Sequence, residues 1–264
     1  MAVTRRGYIF CAFLSSVLSV LLLVVAIASD AWVVSTMTEE VLSQESTIQY
    51  GLFKGEIVLF NLATPVASTL YMTCVPSMSA CALSCKTEDG KTVDYVCNSL
   101  YGDSPRYPFL FTFFVSVPSA PVISFAFYIC MLLIVFIQLI VGVISAALAI
   151  INATRNPTEP IFGLPGCLYS NVMTMVLGLT TMLMFGIYWA SSGLKEHLAV
   201  SYIAQGVYTP SAGLGFSYWI LIGSIICNCA NVGLIVLRSY LLEKDPPPPT
   251  IKVENHSDGT IFLY

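Results

Sequence analysis

The sequence predicts an α-helical membrane protein with four spans and one long insert, and three observations lead to that fold class. First, 56% of the residues are hydrophobic and only 10% are charged, against roughly a quarter charged in a soluble domain. Second, four segments without Asp, Glu, Lys or Arg each reach the about 20 residues that a membrane-crossing helix needs. Third, the insert between the first two segments carries half of the charged residues. We predict a single tetraspan domain with spans at 7–29, 122–151, 167–190 and 216–237.

The first span follows Arg5 and Arg6, as both a membrane helix and a cleaved signal peptide would. Ala26, Ala28 and Ala31 supply small residues of the kind found at a cleavage site. The apolar stretch is longer than a signal-peptide core, so we predict that this segment is retained as a membrane helix.

Basic residues predict the orientation of the chain, because Lys and Arg in short flanks resist translocation. Six basic residues lie on one side of the spans: Arg5, Arg6, Arg155, Arg238, Lys244 and Lys252. Basic residues on the other side lie mostly in the insert, which is too long to count in this rule. We expect a multi-pass plasma-membrane protein with cytoplasmic segments 1–6, 152–166 and 238–264, and extracellular loops 30–121 and 191–215.

The start of the insert is our candidate for extracellular recognition. Trp32 follows the first span, where an indole ring prefers the headgroup level, so its minimal role is an interfacial anchor. β-Branched residues in 33–38 and 47–50 predict two short strands, and 206–215 is expected to form a strand or a loop beside them. Gly51 and Gly55 indicate a bend or a close backbone approach. The candidate recognition residues are Trp32, Tyr50, Gly51, Leu52 and Phe53.

The rest of the insert is expected to be irregular and contains four of the nine cysteines. Thiols on the oxidising side of a membrane favour two disulfides, and the sequence leaves all three pairings open. A zinc site is the alternative, because Cys81 and Cys85 would share a helix face if that stretch were helical. The disulfide candidates are Cys74, Cys81, Cys85 and Cys97.

Polar residues inside the spans are few and neutral. Gln138, Asn228 and Asn231 suit either a transport path or hydrogen bonds between helices, which contribute about 0.6 kcal/mol each. Without an acid or a base in the membrane, proton relay and ion coupling lack their usual carriers. Motifs of hydrolases, metalloproteases, P-loops and dinucleotide sites are absent from the sequence, so we expect no enzymatic activity, cofactor or metal. A net charge of −4 also argues against a nucleic-acid partner.

The tail offers two candidate contacts for cytoplasmic adaptors. A run of four prolines favours a polyproline II segment. Phe262 and Tyr264 form a C-terminal pattern that suits strand addition to a PDZ groove. The alternative is a disordered tail without a partner. The prolines are Pro246, Pro247, Pro248 and Pro249.

Short motifs follow one another in a characteristic order along the chain. After Trp32, the run YGLFKG occupies 50–55, GLPGCLY occupies 163–169 before the third span, and FSYW at 216–219 opens the fourth. This order resembles the clarin family of the claudin-like tetraspan superfamily. Segment 56–106 departs from the family pattern in its expanded length and clustered cysteines, which indicates a divergent member.

The resemblance implies a left-handed four-helix transmembrane bundle topped by a small extracellular antiparallel β-sheet. It also implies a non-enzymatic protein that scaffolds membrane-associated assemblies, in sensory cells or at cell contacts, through its extracellular loop and cytoplasmic tail. The alternatives are a claudin-type junction protein and an auxiliary subunit of an ion channel. Expected partners are the lipid bilayer, a membrane or extracellular protein bound by the first loop and a cytoplasmic adaptor, with at most weak self-association.

Overall fold

A computed structural model of the chain combines four long helices with one antiparallel sheet. It describes residues 2–39, 45–61, 64–75, 79–85, 123–154, 161–192 and 208–244. All four helices are long and apolar enough to cross a membrane, which is the architecture of a multi-pass membrane protein. The helices are α1 (Ala2–Ala28), α2 (Phe125–Thr154), α3 (Leu164–Ser191) and α4 (Phe216–Lys244).

All four helices extend further on the side away from the sheet than the predicted spans, and α1 begins at Ala2 instead of Gly7. Helix α4 continues to Lys244 instead of ending at Leu237, and α2 continues to Thr154. Helix α3 begins at Leu164, with Pro165 in its first turn. Proline is tolerated there because the first N–H groups of a helix have no partner within the helix. The spans predicted from uncharged residues therefore cover only part of each helix, since polar residues can continue a helix beyond its apolar stretch.

The helices pack as a closed four-helix bundle, in which α1 and α3 each contact both α2 and α4. Every helix buries a stripe of residues spaced alternately three and four apart. A repeat of 3.5 residues keeps one seam facing the neighbouring helices and is the spacing of left-handed helix packing. In the middle of α3 the stripe consists of Asn171, Thr174, Gly178 and Thr181.

The sheet has seven antiparallel strands in the order β6-β5-β4-β3-β2-β1-β7, which makes it wider than the expected small sheet. The prediction of an irregular insert after Gly55 was wrong, because that part forms β3, β4 and β5. Their small and polar residues resemble turn formers, yet flanking strands supply the pairing that a strand requires. The strands are β1 (Val33–Glu39), β2 (Glu45–Tyr50), β3 (Lys54–Asn61), β4 (Thr64–Val75), β5 (Ala80–Cys85), β6 (Ile123–Ser124) and β7 (Tyr208–Leu214).

Strand β7 joins the two outer loops of the chain. It pairs with β1 over its whole length, from Val33 opposite Leu214 to Glu39 opposite Tyr208. The N–H of Gly215 donates to the carbonyl of Trp32 at 2.8 Å and continues this ladder to the start of α4. Of the two alternatives for segment 206–215, the structure therefore contains the strand.

The main core lies where the inner face of the sheet meets the sheet-proximal ends of the helices. Ile48, Ile57 and Leu70 project from the sheet and are each at most 2% exposed. They belong to one cluster with Phe127 of α2 and Tyr188 of α3, whose rings stack 4.0 Å apart. Sheet and bundle thus share one hydrophobic core.

Candidate functional site

Trp32 lies at the junction of sheet and bundle and is only 1% exposed. Its indole N–H donates to the carbonyl of Ala26 at 2.6 Å, which is one of the carbonyls at the end of α1 that have no partner within the helix. Its ring meets Phe185 edge to face at 5.2 Å. The prediction of an interfacial anchor was therefore wrong, because the indole ring closes the end of the first helix inside the protein.

The segment after Tyr50 ties three elements together. The carbonyl of Tyr50 accepts from the N–H of Trp32 at 2.9 Å, and the carbonyl of Leu52 accepts from the hydroxyl of Tyr128 on α2 at 2.8 Å. A Cβ on Gly51 would lie 2.7 Å from the carbonyl oxygen of Ser29. The close backbone approach that the two glycines indicated therefore exists at Gly51, where β2 turns into β3 against the end of α1.

Phe53 is the one residue of the five recognition candidates with an exposed side chain, at 41%. Its ring lies 6.4 Å from that of Phe136 on the outer face of α2. Trp32, Tyr50, Gly51 and Leu52 are buried, so they are not accessible to a partner in this conformation. These four residues build the junction, and a broader exposed surface lies elsewhere on the described part of the sheet.

Such a surface is the side of the sheet that faces away from the bundle, here called the outer sheet face. Alternation along the strands and the strand register align its residues in two rows across five strands. Glu56 and Thr69 are exposed neighbours near its centre, and Lys54 and Tyr71 form an exposed pair at one end. The rows are Gly213, Val34, Gln49, Glu56 and Thr69, and Ser211, Thr36, Thr47, Val58 and Ala67.

The two rows of this face carry little charge. Glu56 is the one charged residue within them, among small and hydroxyl-bearing side chains. Beside the rows, Lys54 forms an ion pair with Asp30 at 3.1 Å, with side chains 52% and 27% exposed. Such a partly exposed pair contributes at most about 1 kcal/mol. The outer sheet face therefore suits neutral hydrogen bonding better than binding of a strongly charged ligand.

A network of polar side chains lies inside the bundle. One end of the Asn231 amide lies 2.8 Å from the hydroxyl of Ser16 on α1 and 3.1 Å from the amide oxygen of Asn171 on α3. Ser19 and Ser224 approach each other at 2.8 Å between α1 and α4. Asn231 was predicted to suit either a transport path or hydrogen bonds between helices, and its neighbours support the second.

Gln138 differs from this network, because neither end of its amide has a hydrogen-bond partner within the described residues. The side chain is 0% exposed and lies against Gly178 of α3, where an added Cβ would be 3.0 Å from the amide nitrogen. Asn228 Nδ2 and Ser145 Oγ are likewise buried and unpaired in this part of the chain. All three side chains are neutral amides or hydroxyls.

Among the described residues, one disulfide joins Cys74 of β4 and Cys81 of β5. The two residues are direct cross-strand partners in the register of these strands. Their bond removes both from the alternative zinc set. Cys85 ends β5, and Cys97 lies outside the described residues, so their pairing stays a prediction.

The tail candidates, Pro246 to Pro249, Phe262 and Tyr264, also lie outside the described residues. Within the described ranges, no group of three or more His, Cys, Asp or Glu side chains is placed to hold a metal. What the geometry offers is therefore a fixed extramembrane face above a neutral bundle.

Sequence reasoning identified three interior polar residues but missed most of the others. Ser16, Ser19, Asn171 and Thr174 occupy the same buried stripes. The signal was present, because polar residues recur at alternating three- and four-residue spacing within apolar spans, and that period marks a bundle seam.

No protein-family model matches the chain, and no match to it was found among curated proteins.

Proposed function

We propose that this chain is a clarin-like tetraspan membrane protein that scaffolds membrane-associated protein assemblies through the outer sheet face and its cytoplasmic tail. The observation that carries the proposal is the outer sheet face itself. Its rows cross five paired strands, its centre is exposed, and the shared core fixes it relative to the bundle. A rigid surface loses little conformational freedom on binding, which favours association.

The neutral bundle interior supports a binding role over transport or catalysis. Interior amides and hydroxyls bridge α1, α3 and α4, and polar residues that bridge helices are a means of holding a bundle together. The motif order resembling clarins supports the tetraspan scaffold over an unrelated four-helix membrane protein.

Cross-linking on living cells tests the proposed surface. The test variant is the full-length protein with Glu56→Lys and Thr69→Lys, two substitutions that alter the outer sheet face and leave the core unchanged. We expect this variant to lose the cross-linked partners that the unchanged protein captures. Ser191→Lys is the control, because Ser191 is exposed in the last turn of α3 near the sheet, outside the two rows. Capture that is equal for all three proteins would contradict the proposed surface.

A second measurement distinguishes the scaffold from a claudin-type junction protein and from an auxiliary subunit of an ion channel. Expressed in cells without tight junctions, a scaffold should form no intramembrane strands and add no conductance. Freeze-fracture strands at cell contacts, or a new permeability that depends on Lys54 and Glu56, would assign the protein to the claudin type.

A further inference from the structure

A groove opens on the outside of the bundle, at the end of the spans away from the sheet. It lies between the first turns of α3 and the last turns of α4 and has a volume of about 400 Å³. Sites for small molecules typically enclose roughly 300–1,000 Å³. Ile235 forms its floor and is 5% exposed, while Tyr169 and Tyr240 are 73% and 58% exposed.

The surroundings of the groove determine what can fill it. Its lining residues belong to α3 and α4 within the segments that are apolar and long enough to cross a membrane, 164–191 and 216–241. Because lipid surrounds those segments, the groove opens toward the bilayer, and the molecule that can enter it is a membrane lipid. Its position near the helix ends places it at the boundary of one leaflet, where lipid headgroups lie.

The residues that line the groove indicate which class of lipid can bind there. None of the residues that line the groove is charged, so it contains no direct counterpart for a phosphate. Leu168, Ile235 and Val236 offer apolar contacts, and the aromatic rings of Tyr169 and Tyr240 offer flat surfaces for stacking. Ser239 adds a hydroxyl. This combination suits a rigid, uncharged ring system with one hydroxyl group, which is the chemistry of a sterol.

The spacing along α4 supports the same class. Val236, Tyr240 and Lys244 are successively four residues apart, so they lie on one face of the helix. Their order also matches a short pattern associated with sterol contact, which is common and has little weight alone. Here Val236 and Tyr240 line one groove, and Lys244 follows on the same face at the end of the helix.

We propose that the groove between α3 and α4 is a sterol-binding site, with the ring system against Val236, Tyr169 and Tyr240 and the sterol hydroxyl toward Ser239. The site is separate from the outer sheet face, so it stands independently of the scaffolding function.

Photo-cross-linking of the full-length protein tests this site. The protein is reconstituted in phosphatidylcholine vesicles that contain a photoactivatable, clickable cholesterol, and adducts are mapped by mass spectrometry. We expect adducts concentrated on 164–169 and 235–240. Excess cholesterol should reduce them at least fivefold, whereas its 3α-hydroxyl epimer and phosphatidylserine should reduce them less than twofold.

A matched pair of variants controls for general lipid contact. Val236→Trp fills the groove and should lower labelling about fivefold, whereas Leu237→Trp places the same ring on the neighbouring lipid-facing position and should leave it unchanged. Ser239→Ala should remove the preference for cholesterol over its epimer. Adducts spread evenly over the lipid-facing residues of α1 and α2, or competition by phosphatidylserine, would overturn the proposal without relying on any variant.

Discussion

At the scale of single residues, the YGLFKG run serves the junction of sheet and bundle. Tyr50 and Leu52 provide carbonyl acceptors for Trp32 and Tyr128, while Gly51 lets β2 and β3 meet close to the end of α1. Four of the five recognition candidates, Trp32, Tyr50, Gly51 and Leu52, are thus buried residues that join the sheet to the bundle. Their substitution should change stability first and binding only as a consequence.

Gly51→Ala tests the close approach. The new Cβ would lie 2.5 Å from the carbonyl oxygen of Lys54 and 2.8 Å from the Cα of Asp30, and backbone atoms cannot rotate away. We expect a loss of about 1–3 kcal/mol of unfolding free energy, measured by thermal unfolding in detergent. The control is Gly213→Ala in β7, where a Cβ meets nothing within 4 Å. Equal stability of the two variants would show that the junction adapts.

At the scale of elements, the bundle and the sheet manage polar groups differently. The bundle places amides and hydroxyls on its buried seams, some paired between helices and others unpaired. In the sheet, the hydrogen bond from the N–H of Gly215 to Trp32 fixes the alternation of bonds between β7 and β1. Pro210, opposite Met37, therefore takes a position whose N–H would point away from β1, toward the side of β7 that has no strand beside it in the described part of the chain. A proline at such a position leaves no ladder bond to β1 unmade.

The paired and unpaired amides predict opposite effects of the same substitution. Gln138→Leu removes a buried amide without a partner in the described residues, so we expect unchanged or increased stability, by up to about 2 kcal/mol. Asn231→Leu leaves Ser16 and Asn171 without their shared neighbour and should lower stability by about 1–3 kcal/mol. Unfolding in detergent measures both. A clear loss for Gln138→Leu would indicate that this amide has a partner, such as a buried water.

At the scale of the whole molecule, four spans form one bundle and two outer loops contribute to one sheet. Because β1 to β6 lie between α1 and α2 in the chain and β7 lies between α3 and α4, the sheet lies at one end of the bundle, and the groove between α3 and α4 lies at the other. An even number of spans places both ends of the described chain on the same side of the membrane. Basic residues at the helix ends away from the sheet favour the cytoplasm for that side.

Epitope accessibility tests this orientation. Tags at the N- and C-termini should be unreactive to antibody in intact cells and reactive after permeabilisation, whereas the insert should be cleaved by protease added outside. Asn255 lies in an Asn-His-Ser sequon and should carry no glycan in the cytoplasm. Glycosylation at Asn255, or tags that react in intact cells, would reverse the orientation.

The bilayer explains why the sequence alone predicts the four spans but not the outer sheet face or the groove. A segment in lipid must bond its own backbone and expose apolar side chains, so four uncharged stretches define four helices without any knowledge of their neighbours. Strands in water follow no such local rule: β4 and β5 pair because β3 and β6 flank them, and Cys74 meets Cys81 because the hairpin register aligns them. The buried place of Trp32, the two rows of the outer sheet face and the groove beside Tyr240 all depend on residues distant in the chain, and only their packing in three dimensions brings those residues together.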